Sequence, residues 1–363
     1  MATPKLSIKF GKSSEKCDVF IEEGILGHIP PRLFSDSSSL ALVSDDLVSR
    51  IYARKLDIKS KETHLITFPH GEKSKSLDTA SEIAAKMSKF GMDRKSAIIA
   101  LGGGVTGDLA GFVASIFKRG IRYFQAPTTL LAQVDSSIGG KTGVDTSWGK
   151  NQLGTFHQPS AVFIDPSTLD TLPQSEIING LGEMVKSGII ADRRLFDSIY
   201  QLDSFSTQKL KPMIYATCRI KTRIVQADER EDNLRSVLNY GHTVGHAIEA
   251  STHYKLAHGK AVILGMMAEG WIASKLGIFE RKSYERQENL LQRIAKSFRV
   301  KAAFDSQRIL EFARLDKKSL GGAIRMSLPE KIGKMHVDKD GRSTVAVKKD
   351  LFLASIEYLW NEL

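Results

Sequence analysis

Apolar positions along the chain change their period partway through. Over the first 165 residues, short runs rich in β-branched and aromatic residues recur: LSIKF (6–10), VFI (19–21), LALVS (40–44), HLITF (64–68), AIIAL (97–101), RYFQA (122–126) and VFID (162–165). Between them apolar residues fall three and four apart, as in Leu77–Phe90, the spacing of one helix face. Strand–helix alternation predicts a mostly parallel sheet with helices on both faces. From about Pro166 helical spacing takes over, across 174–189, 207–228, 239–252, 258–277 and 281–298. The boundary is therefore expected near 166–175, with an α/β domain over 1–170 and a mainly helical domain over 171–363. A β-hairpin through Asp338–Gly341 and a closing helix over 350–362 are predicted at the end.

Length and composition agree with this division. A chain of 363 residues is long for a single core. Its 42% apolar and 26% charged content are ordinary for a globular protein. The cysteines, Cys17 and Cys218, form no CxxC pair, so neither a disulfide framework nor a thiolate zinc site is expected. MATPKLSIKF has no apolar core of a secretory signal, and no apolar run approaches the roughly 20 residues of a membrane span. A cytoplasmic protein with no membrane partner is expected. The formal charge of +11 raises the question of nucleic acid, but acidic residues are interspersed even in QADEREDNLR. No basic segment carries regularly spaced aromatics, so nucleic acid is not an expected partner either. A strongly anionic small substrate explains part of the excess.

The candidate chemistry lies in loops after strands and in one histidine-rich stretch. AIIAL runs into Gly102, Gly103, Gly104, Val105, Thr106, Gly107 and Asp108, then an apolar helix. Glycines let backbone amides approach a phosphate, and a helix N-terminus adds partial positive charge. The spacing is not G-x-G-x-x-G, and a ligand-free tight turn is the competing reading. HGEKSK (70–75) is a second candidate loop. A third, VDSSIGGKTGVDTSWGKN (134–151), is expected to be a long functional loop in which Lys141 and Lys150 hold anionic groups. NYGHTVGHAIEASTHYKLAH (239–258) holds His242, His246 and His258, whereas the whole chain has nine histidines. His242 and His246, four apart, share a helix face, and small neighbours leave space beside them. Three imidazoles could hold a divalent metal, against the reading of an ordinary polar face. His64 and His253 read as surface residues. In INGLGEMVKSG (178–188), Glu183 and Lys186 share a face, as a solvated pair or as part of a site. Lys221 and Arg235 flank the acidic turn DERED.

Together these segments resemble the 3-dehydroquinate synthase family, a group of sugar-phosphate cyclases. The resemblance is carried by GGGVTGDLAGFVAS, KRGIRYFQAPTTLLAQVDSSIGGKTGVD, GKNQLGTFHQP, INGLGEMVKSG, ADEREDNLRSVLNYGHTVGHAIEA and LAHGKAV, in this order over most of the chain. It implies a Rossmann-like α/β NAD-binding domain, a mainly α-helical metal-binding domain, and an active site in the cleft between them. The implied reaction, a lyase step of the shikimate pathway leading to chorismate and aromatic amino acids, converts 3-deoxy-D-arabino-heptulosonate 7-phosphate to 3-dehydroquinate and phosphate. A hydride passes to NAD+, phosphate leaves by β-elimination, the hydride returns, and an aldol addition closes the ring.

By the same resemblance Glu183, His242 and His258 hold zinc or cobalt, and His246 faces the substrate phosphate. This replaces the His242–His246 ligand pair that spacing alone suggests. Asp135, Lys141, Asn151, Lys186, Lys221, Arg235 and Asn239 would line the substrate pocket. Arg119 of a neighbouring subunit in a homodimer, and Lys317 or Lys318 of the DKK segment, would help bind phosphate or carboxylate. NAD would be held by Gly71, Glu72, Lys75, Gly104, Val105, Gly107 and Asp108. Thr128, Thr129, Lys141, Lys150, Thr168 and Thr171 would complete its site, with Asp45 near the adenosine ribose. Two positions depart from the pattern: Lys260 stands where the family usually has glutamate after His-Gly, and Leu47 where asparagine is common. The alternatives implied are a sister cyclase, such as 2-deoxy-scyllo-inosose synthase or a valiolone-type synthase, and a glycerol-dehydrogenase-like polyol dehydrogenase. The Lys–Asn of GKN and the DKK segment favour the shikimate enzyme.

Overall fold

The computed structural model describes residues 5–9, 16–56, 58, 61–230, 234–298, 305–315 and 324–362. Contacts divide the chain into two units, Met1–Leu172 with Lys221–Gln226, and Pro173–Ile220 with Ala227–Leu363. In chain order the first unit contains β1 (Lys5–Lys9), β2 (Lys16–Ile21), β3 (Leu40–Asp45), α1 (Asp46–Tyr52), β4 (Thr63–Phe68), α2 (Leu77–Lys89), β5 (Ala97–Gly102), α3 (Gly104–Ile116) and β6 (Arg122–Pro127). The hairpin β7 (Lys141–Thr146) and β8 (Gly149–Phe156) and then β9 (Ala161–Ile164) follow.

All seven expected strand runs join one sheet, ordered β1-β2-β9-β6-β5-β3-β4; Phe10, at the end of the first run, lies outside the described residues. Only β1–β2 is antiparallel. Successive side chains point to opposite faces, which gives two cores. Ala41, Val43, Ile98 and Ala100 pack with Ile83 of α2 and Leu109 and Val113 of α3. Leu40, Leu42, Ile99 and Phe124 pack with Phe34 and Tyr52 on the other face. Burial on both faces explains why β5 reads as an uninterrupted apolar run. The loops after β3, β4, β5 and β6 then emerge at the carboxyl ends of parallel strands, where such sheets bind ligands.

The stretch 134–151 is the main departure in this unit. It is not a long open loop: most of it folds into the antiparallel hairpin β7–β8. One apolar side chain, Val144, is fully buried against the core, and Thr142 Oγ1 meets Thr155 Oγ1 across the strands at 2.8 Å. A strand built from glycines and polar residues with one apolar anchor leaves almost no alternating signal.

The second unit contains α4 (Gln174–Ala191), α5 (Arg193–Tyr200), α6 (Thr207–Ala227, whose segment Lys221–Gln226 groups with the first unit), α7 (His242–Ser251), α8 (His258–Lys275), α9 (Arg281–Ala295) and α10 (Ser306–Leu315). Strands β10 (Ile324–Met326), β11 (Pro329–Lys331), β12 (Lys334–Met335) and β13 (Val345–Val347) precede α11 (Lys349–Glu362). The five long helical stretches and the closing helix are present. The short helices α5 and α10 were not expected. Each buries only a narrow face, Leu195, Phe196 and Ile199 in α5 and Ile309, Leu310 and Ala313 in α10. The stretch expected as one helix over 239–252 is a 3-10 turn (Leu234–Asn239) followed by α7, because Gly241 turns the backbone to φ 79°. The turn at Asp338–Gly341 forms, with Asp338 N donating to Arg342 O at 2.9 Å. Its flanks do not pair as a hairpin, since β12 pairs with β11 and β13 with β10.

Helix α8 is the hub of this unit, touched by both α7 and α4. Its glycines allow backbone-to-backbone approach. A Cβ on Gly265 would stand 1.9 Å from Gly241 O, and one on Gly259 would stand 1.7 Å from Asn179 O. These crossings flank His258, Glu183 and His242 in sequence.

Candidate active site

Close crossing of α4, α7 and α8 brings together side chains far apart in sequence. Ring nitrogens of His242, His246 and His258 all lie within 4.8 Å of one another. From α4, Glu183 Oε1 lies 3.5 Å from His242 Nε2 and 3.7 Å from His258 Nε2. The carboxylate is almost fully buried and also pairs with Lys186, itself 2% exposed, so this is no solvated surface pair. Two triads therefore share His242 and His258, one completed by His246 and the other by Glu183.

The remaining ring nitrogens are fixed from behind. His242 Nδ1 lies 3.2 Å from Tyr240 O, and His258 Nδ1 lies 3.1 Å from Glu249 Oε2. Such contacts set the ring orientation and turn each Nε2 toward Glu183, where it can serve as a metal ligand. Burial alone would lower the His258 pKa, but hydrogen bonds and charge from Glu183 and Glu249 push it up to about 10. Imidazoles plus a carboxylate, with their second nitrogens held, are a donor set suited to zinc or cobalt. Lys260 turns its ammonium over the Phe298 ring, at 5.7 Å from the centroid.

In the first unit the glycine loop after β5 starts α3, whose N-cap Gly103 offers no side-chain cap. Gly104, Val105 and Gly107 thus stand in a first turn whose N-cap residue offers its amides no side chain. Lys75, 5% exposed, donates to Asp108 Oδ2 and to Asn151 Oδ1, each at 2.6 Å. Burial alone would lower the Lys75 pKa, yet the charge and hydrogen bond of Asp108, with Glu72 and Asp145 nearby, hold it above the ordinary value. Lys150 pairs with Glu72 at 2.8 Å, next to Gly71, which has φ 101°. The hairpin thus joins the loop after β4 to the loop after β5: Asp145 N also donates to Lys75 O at 2.7 Å. Asn151, expected among substrate contacts, stands with Lys75 and Asp108 and takes a left-handed φ of 54°.

The other residues singled out fall into three groups. Thr128 N donates to Gly102 O at 2.9 Å, which braces the glycine loop, and Thr129 Oγ1 accepts from Ala132 N at 3.2 Å in the next turn. Thr168 Oγ1 accepts from Gln133 Nε2 at 2.9 Å, and Thr171 Oγ1 meets Tyr52 Oη at 2.5 Å. Asp45 caps α1, accepting from Leu47 N and Val48 N at 3.0 and 2.8 Å, while the Leu47 side chain is exposed. Among the cations, Lys221 is buried and donates to Asp135 O at 2.6 Å as well as to its carboxylate. Arg235, also buried, donates from its backbone to Asp228 Oδ2 at 2.9 Å and from its guanidinium to Glu229 O, and Asn239 ends the same 3-10 turn. Lys141 begins β7 and is exposed. Arg119 is exposed on a turn where Lys118 and Arg119 both have positive φ, 50° and 72°. Lys317 and Lys318 lie outside the described residues.

Sequence reasoning missed Glu249 and Glu269, both buried, and Gln133, whose amide also reaches Pro127 O and Asp165 O. Glu249 is seven residues after His242 on one helix face, a spacing that could have signalled it. His64 is only half-buried and stacks on Phe90 at 4.3 Å, whereas His253 is exposed.

Comparison with known proteins is consistent throughout. Residues 65–179 match the family model for 3-dehydroquinate synthase N-terminal, and 180–319 that for 3-dehydroquinate synthase C-terminal. The 3-dehydroquinate synthase of Thermodesulfovibrio yellowstonii is 43% identical over 345 residues, 92% of this chain and 96% of that protein. Among solved structures, a 2-deoxy-scyllo-inosose synthase complexed with carbaglucose-6-phosphate, NAD+ and Co2+ aligns with a TM-score of 0.88 at 26% identity, over 98% of this chain and all of that one. ValA, the 2-epi-5-epi-valiolone synthase of Streptomyces hygroscopicus with NAD+ and Zn2+ bound, aligns at 0.84 and 25% identity, covering 97% and 98%. The chain belongs to the 3-dehydroquinate synthase family.

Proposed function

We propose that this chain converts 3-deoxy-D-arabino-heptulosonate 7-phosphate to 3-dehydroquinate and phosphate, using NAD+ and one divalent zinc or cobalt ion. The observation that carries this reading is Lys186, buried at 2% exposure and paired with the carboxylate that faces His242 and His258. A polyol dehydrogenase has no anion to expel and no use for a buried ammonium there. An enzyme that binds a carboxylate and a phosphate dianion does, because charge-assisted hydrogen bonds to them are strong.

When bound, NAD+ supplies a reversible hydride acceptor and the metal a Lewis acid that orients the substrate hydroxyls. Glu183, His242 and His258 would hold the metal, leaving His246 to face the substrate phosphate. Lys141, Lys186, Lys221 and Arg235 would hold the anionic groups, with Asp135, Asn151 and Asn239 orienting hydroxyls and cations and Lys317 or Lys318 adding charge. The uncapped start of α3 would receive the pyrophosphate, with the Lys75–Asp108 and Lys150–Glu72 pairs beside it. Arg119 would act in the site of a second copy in a homodimer. The enzyme would work in the cytoplasm.

Incubation with the heptulosonate phosphate, trace NAD+ and Zn2+ or Co2+ tests the reading. Phosphate and 3-dehydroquinate should appear together with no net NADH. NADH accumulating on a plain polyol, with no phosphate released from the heptulosonate phosphate, would make the chain a dehydrogenase.

A further inference from the structure

Helix α7, which carries His242 and His246, cannot cap its own N-terminus. Its N-cap residue is Gly241, at φ 79°, and a Cβ there would stand 2.6 Å from Met266 Cγ and 2.9 Å from Val262 O. No side chain can be added at that position. The third residue of the helix, where a glutamate would complete a local capping box, is the buried apolar Val244. The first amides of a helix have no partner within it, and in a buried place they must find one elsewhere.

A single side chain meets this need. Glu269, on α8 and fully buried, accepts from Gly241 N through Oε2 at 2.8 Å and from Val244 N through Oε1 at 3.0 Å. These are the two bonds that a capping box makes from its serine and its glutamate, here supplied together from the neighbouring helix. The carboxylate also faces the positive end of the helix dipole. Behind it, Tyr240 Oη donates to Gln287 Oε1 at 2.8 Å, and Gln287 Nε2 donates to Met266 O at 3.1 Å, which fixes α8 and α9 around the same turn.

His242 is the first residue of α7 and His246 lies one turn later. Whatever fixes the first turn therefore fixes the aim of both imidazoles. We infer that Glu269 is a positioning residue, which sets the orientation of His242 and His246 by capping α7 from α8. This rests on the metal reading above. Asparagine, glutamine or an apolar residue at this position could not accept from both amides.

The test is Glu269→Gln, which keeps the volume but turns an NH2 toward at least one of the two amides. Co2+ affinity, measured by calorimetric titration, should fall about 10–100-fold, the range for outer contacts of metal ligands. The visible ligand-field spectrum of the Co2+-loaded variant should change, and NAD+ affinity should not. A folded variant that loses only thermal stability, with the wild-type Co2+ affinity and spectrum, overturns the positioning role. Wild-type protein that binds no Co2+ overturns the metal reading and this inference with it. Should Glu269→Gln fail to fold, hydrogen exchange on the wild-type, metal-loaded protein decides. The Gly241 and Val244 amides should then be strongly protected, and exchange at the rate of free first-turn amides overturns the inference.

Discussion

At the scale of residues, the candidate site centres on buried charges that face named partners. Glu183 is the pivot, since it meets Lys186, His242 and His258 at once. Geometry leaves two possible triads, and substitution separates them. About one divalent ion per chain is expected. His242→Ala and His258→Ala should lose it, whereas His246→Ala should keep it and lose phosphate release. Elemental analysis of the three purified variants reads this directly, and the reverse ranking would restore His246 as a ligand. In the first unit, Asp108 holds the buried Lys75 charged. Asp108→Ala should weaken NAD+ binding about tenfold or more, roughly 1.4 kcal/mol. A folded variant with wild-type affinity in calorimetry would leave Asp108 a purely structural role.

At the scale of elements, the glycine crossings of α8 and the α9–α11 contact carry separate predictions. A methyl on Gly259 has no room beside Asn179 O. Gly259→Ala should therefore cost about 3 kcal/mol, at the upper end for overpacking, and lower metal content because α4 and α8 must separate. A denaturant midpoint and a metal assay check both, and unchanged metal content would show that the crossing does not hold the site. On α9, burial, opposed by the Tyr358 hydroxyl and assisted by the charge of Glu362, pushes the Glu288 carboxyl from its ordinary 4.5 up to about 7. The folded state thus binds this proton more tightly than the unfolded chain does. Its contribution is fully present below about pH 4.5 and is lost as pH rises through about 7. Glu288→Gln should accordingly raise stability by about 1 kcal/mol at about pH 8 and change little near pH 5. Melting curves at both values test it, and equal effects at both would remove the shift.

At the scale of the whole molecule, the Arg119 reading requires two copies. Arg119→Ala and His242→Ala should each be inactive, while mixed and re-equilibrated they should recover roughly a quarter of wild-type activity. One site of each mixed dimer then has both residues intact. No recovery, in a sample shown by light scattering to exchange subunits, would assign Arg119 to its own chain.

What the sequence determined by itself is what is encoded locally. Seven strand runs, the long helices and the glycine loops were legible because side-chain period and chain-reversing glycines act over a few residues. The two-part composition of the chain, β-branched first and helical later, was legible for the same reason. The hairpin β7–β8 was not, since one buried Val144 among glycines and polar residues produces no alternation. Glu183 and Lys186 showed as a pair at helical spacing, yet nothing local told whether water or protein surrounds them. Their burial depends on α8 crossing α4 where Gly259 meets Asn179, two residues eighty apart in the chain. Glu269 is the clearest case: in sequence it is an acid within an apolar helix. Only the crossing of α7 and α8 turns it into the cap of the helix that carries His242 and His246. A long-range hydrogen bond of this kind has no period and no neighbour, so tertiary packing alone decides it.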